Sequence, residues 1–126
     1  MISQVLVCAF LSVLFLQSGI DKVADRKGNL EWLTGHFANS PFKNVVGLLL
    51  TQITIQEIAA GILCAVGAGV LAFTGAKLVA IFGLILASAS VLCLFIGQRL
   101  AKDYEGAAVL VNYFVLTILG LYLFAI

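Results

Sequence analysis

The sequence predicts an all-α fold, a polytopic membrane four-helix bundle with a short interfacial or re-entrant helix between its first and second spans. Three observations carry that expectation. Hydrophobic residues make up 63% of the chain and charged residues only 10%, whereas soluble domains carry charge on about a quarter of their residues. The apolar residues fall in long runs with short polar breaks, and about 30 Å of hydrocarbon takes roughly 20 helical residues to cross. A chain of 126 residues therefore supplies about four crossings in a single membrane domain.

The first span is expected over residues 2–23, ISQVLVCAFLSVLFLQSGIDKV. It lacks the basic start and the small-x-small ending of a secretion signal and reads as a retained helix. Residues 24–54 are expected to form a loop with short helices. Within it Asn29 can cap a helix that presents Leu30, Trp32, Leu33 and Phe37, either as an aromatic surface anchor or as a lid over a site. Ser40 and Pro41 resemble an N-cap and first helical residue. A single helix from Pro41 to Phe73 would be about 50 Å long, well beyond the slab thickness. The stretch TQITIQ at 51–56 has low helix propensity. The expectation is a short interfacial or re-entrant helix over 41–50, a bend at 51–54 and a second span over 55–73. The third span is placed at 76–100 and the fourth at 106–126.

Alternation of four spans sorts the embedded polar residues onto one end of the bundle. Gln17, Asp21 and Lys22 close the first span, and Gln52, Gln56 and Glu57 open the second. Gln98, Arg99, Lys102 and Asp103 close the third, while Tyr104, Asn112 and Tyr113 open the fourth. The opposite end offers only Gln4 and Lys77. Glu57, Gly61, Ala65 and Gly69 share an i, i+4 row, and small residues so spaced mark a closely packed helix face, which turns Glu57 inward. Tyr104, Ala108, Asn112, Leu116 and Gly120 form a comparable row on the fourth span, and Gly83, Ala87, Ser90 and Gly97 a stripe on the third. An unpaired charge at the slab centre costs at least roughly 2.5 kcal/mol, so Glu57 needs a partner, with Arg99 and Lys22 the candidates. These placements predict a polar pocket lined by Asp21, Lys22, Glu57, Arg99 and Asn112, with Gln17, Gln56, Asp103 and Tyr104 as further ligand-binding candidates. Asp21 is favoured as a wall of the site and Lys22 as a snorkelling anchor. The same cluster also reads as a salt-bridge latch that sets helix register and binds nothing.

Several function classes are excluded. A net charge of +1 leaves no electrostatic footprint for nucleic acid. Cys8, Cys64 and Cys93 stand singly in apolar runs, and His36 is the one histidine, so no metal set, multi-histidine haem site or dithiol motif can be assembled. No nucleophile–base pair or phosphate loop points to an independent enzyme. A conduction path needs polar residues through the full thickness, and here one half is apolar apart from Gln4 and Ser12.

The segments FLQSGIDKV, IQEIAAGILCAVGAG and GQRLAKDYEGAAVLVNYF are similar to the G-x-x-K, E-x-x-x-G and third-loop patterns of the DoxX-like membrane proteins. The resemblance covers nearly the whole chain and implies a four-helix membrane bundle with Gly19, Lys22, Glu57, Gly61 and Asp103 at the family's characteristic positions. The group takes its name from a subunit of a thiosulfate–quinone oxidoreductase, and other members accompany redox proteins or act as membrane chaperones or cargo receptors. Fold transfers across such a spread better than function. The cysteine-rich motif of some branches is absent here.

Two functions follow as expectations. One is an accessory subunit in the lipid bilayer that binds an amphiphile, a quinone or lipid headgroup, beside a redox partner. The other is an assembly or interaction protein without a small ligand, working with a membrane protein partner or as a homo-oligomer. Lys22, Arg26, Lys27, Lys43, Arg99 and Lys102 lie on the side of the first and third loops and only Lys77 on the other. The positive-inside rule then places both loops in the cytoplasm of a bacterial inner membrane.

Overall fold

A computed structural model describes residues 1–126 and contains five α-helices and no strand. They are α1 (Ile2–Ala24), α2 (Arg26–His36), α3 (Val46–Thr74), α4 (Leu78–Leu100) and α5 (Tyr104–Ala125). All but α2 are long and apolar enough to cross a membrane. The chain is an integral membrane protein of four spans. In cross-section the spans run α1, α3, α4, α5 around the bundle, with α5 closing back on α1. At the closed end Gln4 Nε2 donates to the Leu123 carbonyl at 2.9 Å and ties α1 to α5.

Two features of the expected first loop are corrected. Ser40 and Pro41 start no helix: the Ser40 hydroxyl accepts from the Phe42 N–H at 3.0 Å and shapes a turn. No bend interrupts residues 51–54 either, because α3 is one helix of 29 residues. The physical reason lies in the threonines. Thr51 and Thr54 donate their hydroxyls to the carbonyls of Gly47 and Leu50 in the preceding turn, at 3.1 and 2.6 Å. Their polar groups are thus satisfied within the helix rather than at its expense. The short helix of the first loop is instead α2. Its N-cap is Asp25, whose Oδ1 accepts from the Gly28 N–H at 3.3 Å. Asn29, expected as the cap, lies inside the helix and donates to the Asp25 carbonyl at 2.8 Å.

The core is made of small and medium residues: Cys8, Leu11 and Phe15 on α1, Ala60, Cys64 and Ala68 on α3, and Ala80, Leu84, Ala87 and Val91 on α4. Gly83 on α4 faces the Cys64 backbone so closely that a Cβ would lie 2.9 Å from its nitrogen. Backbones approach at such seams because lipid tails supply no hydrophobic drive, which leaves close packing to hold the helices together. The expected small-residue stripe on the third span is therefore present at Gly83, Ala87 and Ser90.

Neither i, i+4 row stays in the interior: the one on α3 turns outward after Gly61, and the one on α5 turns inward only at Gly120. Each helical residue turns by about 100°, so every fourth residue rotates about 40° further round the helix. On α3 the buried line runs Glu57, Gly61, Cys64, Ala68, Leu71, while Ala65 is exposed and Gly69 faces open space. On α5 the buried residues are Ala107, Thr117 and Gly120, and Ala108 and Asn112 point outward.

Candidate functional site

Glu57 is the buried acid of the bundle, 1% exposed and fully inside the α1–α3 seam. Its partner is Lys22, one of the two candidates, with Nζ 3.0 Å from Glu57 Oε1. The angles at that contact fall outside hydrogen-bond geometry. Coulomb attraction follows separation and not angle, so the ion pair stands on its distance. The lysine ammonium donates a true hydrogen bond to the Ser18 hydroxyl at 2.8 Å. Gly19 and Gly61 make the seam possible. A Cβ on Gly19 would lie 3.2 Å from the Ile58 nitrogen, and one on Gly61 would lie 2.9 Å from the Leu16 nitrogen.

Beside the pair opens a cavity of about 370 Å³. Its roof is α2 with the loop that follows, contributing Asn29, Trp32, Leu33, Phe37 and Phe42. One wall is α3, with Leu49, Gln52, Ile53 and Gln56, and the other is α4, with Cys93, Leu94, Ile96, Gly97 and Gln98. Lys22 lines it from α1. The surface is apolar with a few amides and one ammonium, the composition of a small-molecule site. Gln56 Oε1 is buried and has no hydrogen-bond partner.

The roof is pinned at both ends. Arg26 Nη2 donates to Thr51 Oγ1 at 2.8 Å and to the Gly47 carbonyl at 3.3 Å. At the other end His36 Nε2 is hydrogen-bonded with Gln98 Oε1 at 2.7 Å and lies 3.6 Å from Asp103 Oδ2. The Trp32 ring stacks on His36 with centroids 4.5 Å apart.

Placed against this geometry, the expected site residues separate. Lys22 and Gln56 line the cavity, and Glu57 stands behind Lys22 as its counter-ion. Asp21, favoured as a wall, is exposed, and Lys22, favoured as an anchor, is the residue that turns inward. Gln17 and Asn112 are exposed too. Arg99 does not reach Glu57; its guanidinium lies over the Tyr104 ring at 4.6 Å, on the α4–α5 corner. Asp103 caps α5 by accepting from the Gly106 N–H at 3.0 Å. The pocket expected from Asp21, Arg99 and Asn112 is thus not formed by those residues.

Sequence reasoning missed the amide-bearing Asn29, Gln52 and Gln98 as site residues and the pinning residues Arg26 and His36. A signal for the roof was present: Asn29, Trp32, Leu33, His36 and Phe37 recur at i, i+3, i+4, i+7 and i+8, one face of a helix. Comparison of the chain with protein-family models, curated proteins and solved structures finds no match.

Proposed function

We propose that this protein is a DoxX-like accessory membrane subunit that binds an amphiphile, a quinone or lipid headgroup, in the cavity beneath α2, beside a redox partner. The observation that carries the reading is the cavity itself, about 370 Å³ of mainly apolar space at the polar end of the bundle, with Lys22 and four amide side chains on its surface. An apolar wall suits tails or a ring, and the few polar groups fix the head. In support of the family resemblance, Gly19, Lys22, Glu57 and Gly61 meet along one seam, where the glycines bring α1 and α3 close enough for the ion pair.

Mass spectrometry of organic extracts from the purified protein tests the reading. A quinone or a single lipid class is expected to co-purify in stoichiometric amount and to fall when Gln56 or Trp32 is replaced by alanine. Extracts that match bulk membrane lipid, with no change in either variant, would overturn it.

A second reading, an interaction protein without a small ligand, is favoured by α5, which buries only Ala107, Thr117 and Gly120 and leaves Val111 and Phe114 along a small apolar groove with α4. It requires a stoichiometric membrane partner or a homo-oligomer after native purification. The orientation proposed is that of the lysine and arginine count. With Lys22 discounted as part of the site, Arg26, Lys27, Lys43, Arg99 and Lys102 still face only Lys77, so both polar loops are assigned to the cytoplasm of the bacterial inner membrane.

A further inference from the structure

We infer that the cavity opens sideways into the bilayer, through a mouth between α3 and α4, and takes a molecule whose long apolar chain stays in lipid while its head enters. The inference rests on the binding role proposed above and adds the route and the chain that the route requires.

Four lining residues are exposed, Trp32 on α2, Gln52 on α3, and Cys93 and Ile96 on α4; the others are partly or fully buried. The four lie together. A Cβ on Gly83 would meet the Cys64 nitrogen and one on Gly67 the Ala80 Cα, which sets the antiparallel register of α3 and α4. Continued toward the polar end, that register brings Gln52 level with Phe95, between Cys93 and Ile96. Each helical residue turns by about 100°, so Cys93 and Ile96 fall on the flank of α4 away from Ala87 and Val91, which face the core. Gln52 likewise lies opposite Gly61, the residue that packs on Leu16 of α1.

Depth identifies what the mouth faces. Cys93 stands seven residues before Leu100, the last residue of α4, which is about 10 Å down the helix axis. The 23 residues of α4 span about 34 Å, little more than the hydrocarbon thickness. Cys93 and Ile96 therefore meet acyl chains.

The water side is covered by contrast. Phe37 is buried, and its ring lies 3.4 Å from where a Gly97 Cβ would stand. Arg26 ties the start of α2 to α3, and His36 at its end is hydrogen-bonded with Gln98 on α4. A solute in water meets this roof; a molecule in the leaflet meets the mouth. Each methylene of an apolar chain raises its concentration in the leaflet, and a chain left among acyl tails keeps its burial while the head occupies the cavity.

Cys93 and Trp32 report on the route, being the one exposed cysteine and the single tryptophan. A nitroxide on Cys93, in phosphatidylcholine nanodiscs, is expected to be relaxed by oxygen, which concentrates in lipid, and hardly by a water-soluble nickel chelate. A nitroxide at Lys27→Cys in a Cys93→Ser background, on an exposed position of α2, sets the scale for water. Equal relaxation of the two labels by nickel would rule out the lateral mouth.

Saturable quenching of Trp32 reads occupancy by a decyl-substituted benzoquinone and by the same ring without the chain. The decyl compound is expected to half-saturate at a concentration at least about a hundredfold lower. Cys93→Phe, which narrows the mouth, is expected to raise that concentration about tenfold; Ile96→Phe is the second variant should the first not fold. Displacement of the quinone by phosphatidylethanolamine, added to the nanodiscs, assigns the chain to a lipid, and retention assigns it to a quinone; either upholds the route. Equal binding with and without the chain, or no effect of either mouth variant, would overturn the inference while leaving the cavity a binding site. No saturable quenching by either compound would overturn the binding role as well.

Discussion

Lys22 and Glu57 form the pair on which the α1–α3 seam closes, and removing either side has a calculable direction. Lys22→Met leaves a buried carboxylate without its counter-ion and is expected to destabilise the protein by about 3 kcal/mol. The double variant Lys22→Met, Glu57→Met replaces the pair by apolar volume and is expected to recover most of that loss. Reversible denaturation in mixed micelles reads both. If the single and double variants were equally unstable, the coupling assigned to this contact would be wrong. Lys102 offers a change of the opposite sign. It holds φ 63°, a left-handed backbone, where α4 ends with the N–H groups of Lys102 and Asp103 donating to the carbonyls of Arg99 and Gln98. That closure usually takes glycine. Lys102→Gly is expected to raise stability by about 1 kcal/mol, less the entropy glycine adds to the unfolded chain, in the same assay. The lysine at this position was plain in the sequence, but its φ was not, since only the angle at which α5 leaves α4 imposes it.

At the scale of the helix, composition marked the small-residue faces and period decided which of them pack. Gly67 and Gly69 look alike in the sequence, yet a Cβ on Gly67 would lie 2.5 Å from the Ala80 Cα, whereas one on Gly69 meets nothing within 4 Å. Gly67→Ala is expected to destabilise by about 1–3 kcal/mol, because the clash is with backbone and no rotamer relieves it. Gly69→Ala is expected to stabilise by up to about 1 kcal/mol through helix propensity alone. Thermal unfolding followed by circular dichroism in detergent distinguishes them, and effects of the same sign would refute the placement of the α3–α4 seam. The four spans were legible because long apolar runs admit no other structure in a bilayer. The start of α3 was not, because the local preference of TQITIQ against helix is small and hydroxyl-to-carbonyl bonds along α3 absorb it.

Taken whole, the molecule is polar at one end, where α2 roofs a cavity, and sealed at the other, where Gln4 meets the Leu123 carbonyl. Tight seams around Cys8 and Cys64 and an open flank at Cys93 predict the pattern of thiol reactivity. In detergent the folded protein is expected to take up one maleimide, at Cys93, and three only after denaturation. Two or three adducts under native conditions, located by peptide mapping, would mean that the α1–α3 and α3–α4 seams open.

The sequence by itself determined the membrane bundle, the number of spans, the gathering of polar residues at one end and the inward turn of Glu57. Each of these follows from apolar length, chain alternation or the cost of burying charge, all of which act within one span. Only the tertiary structure decided that Lys22 and not Arg99 meets Glu57, that Asp21 and Asn112 face outward, and that α2 closes over α3 and α4 to make the cavity. Those outcomes depend on the rotation of each helix about its axis and on where a polar loop comes to rest. Both are set by side-chain interlocking between elements distant in the chain, which no single helical period encodes.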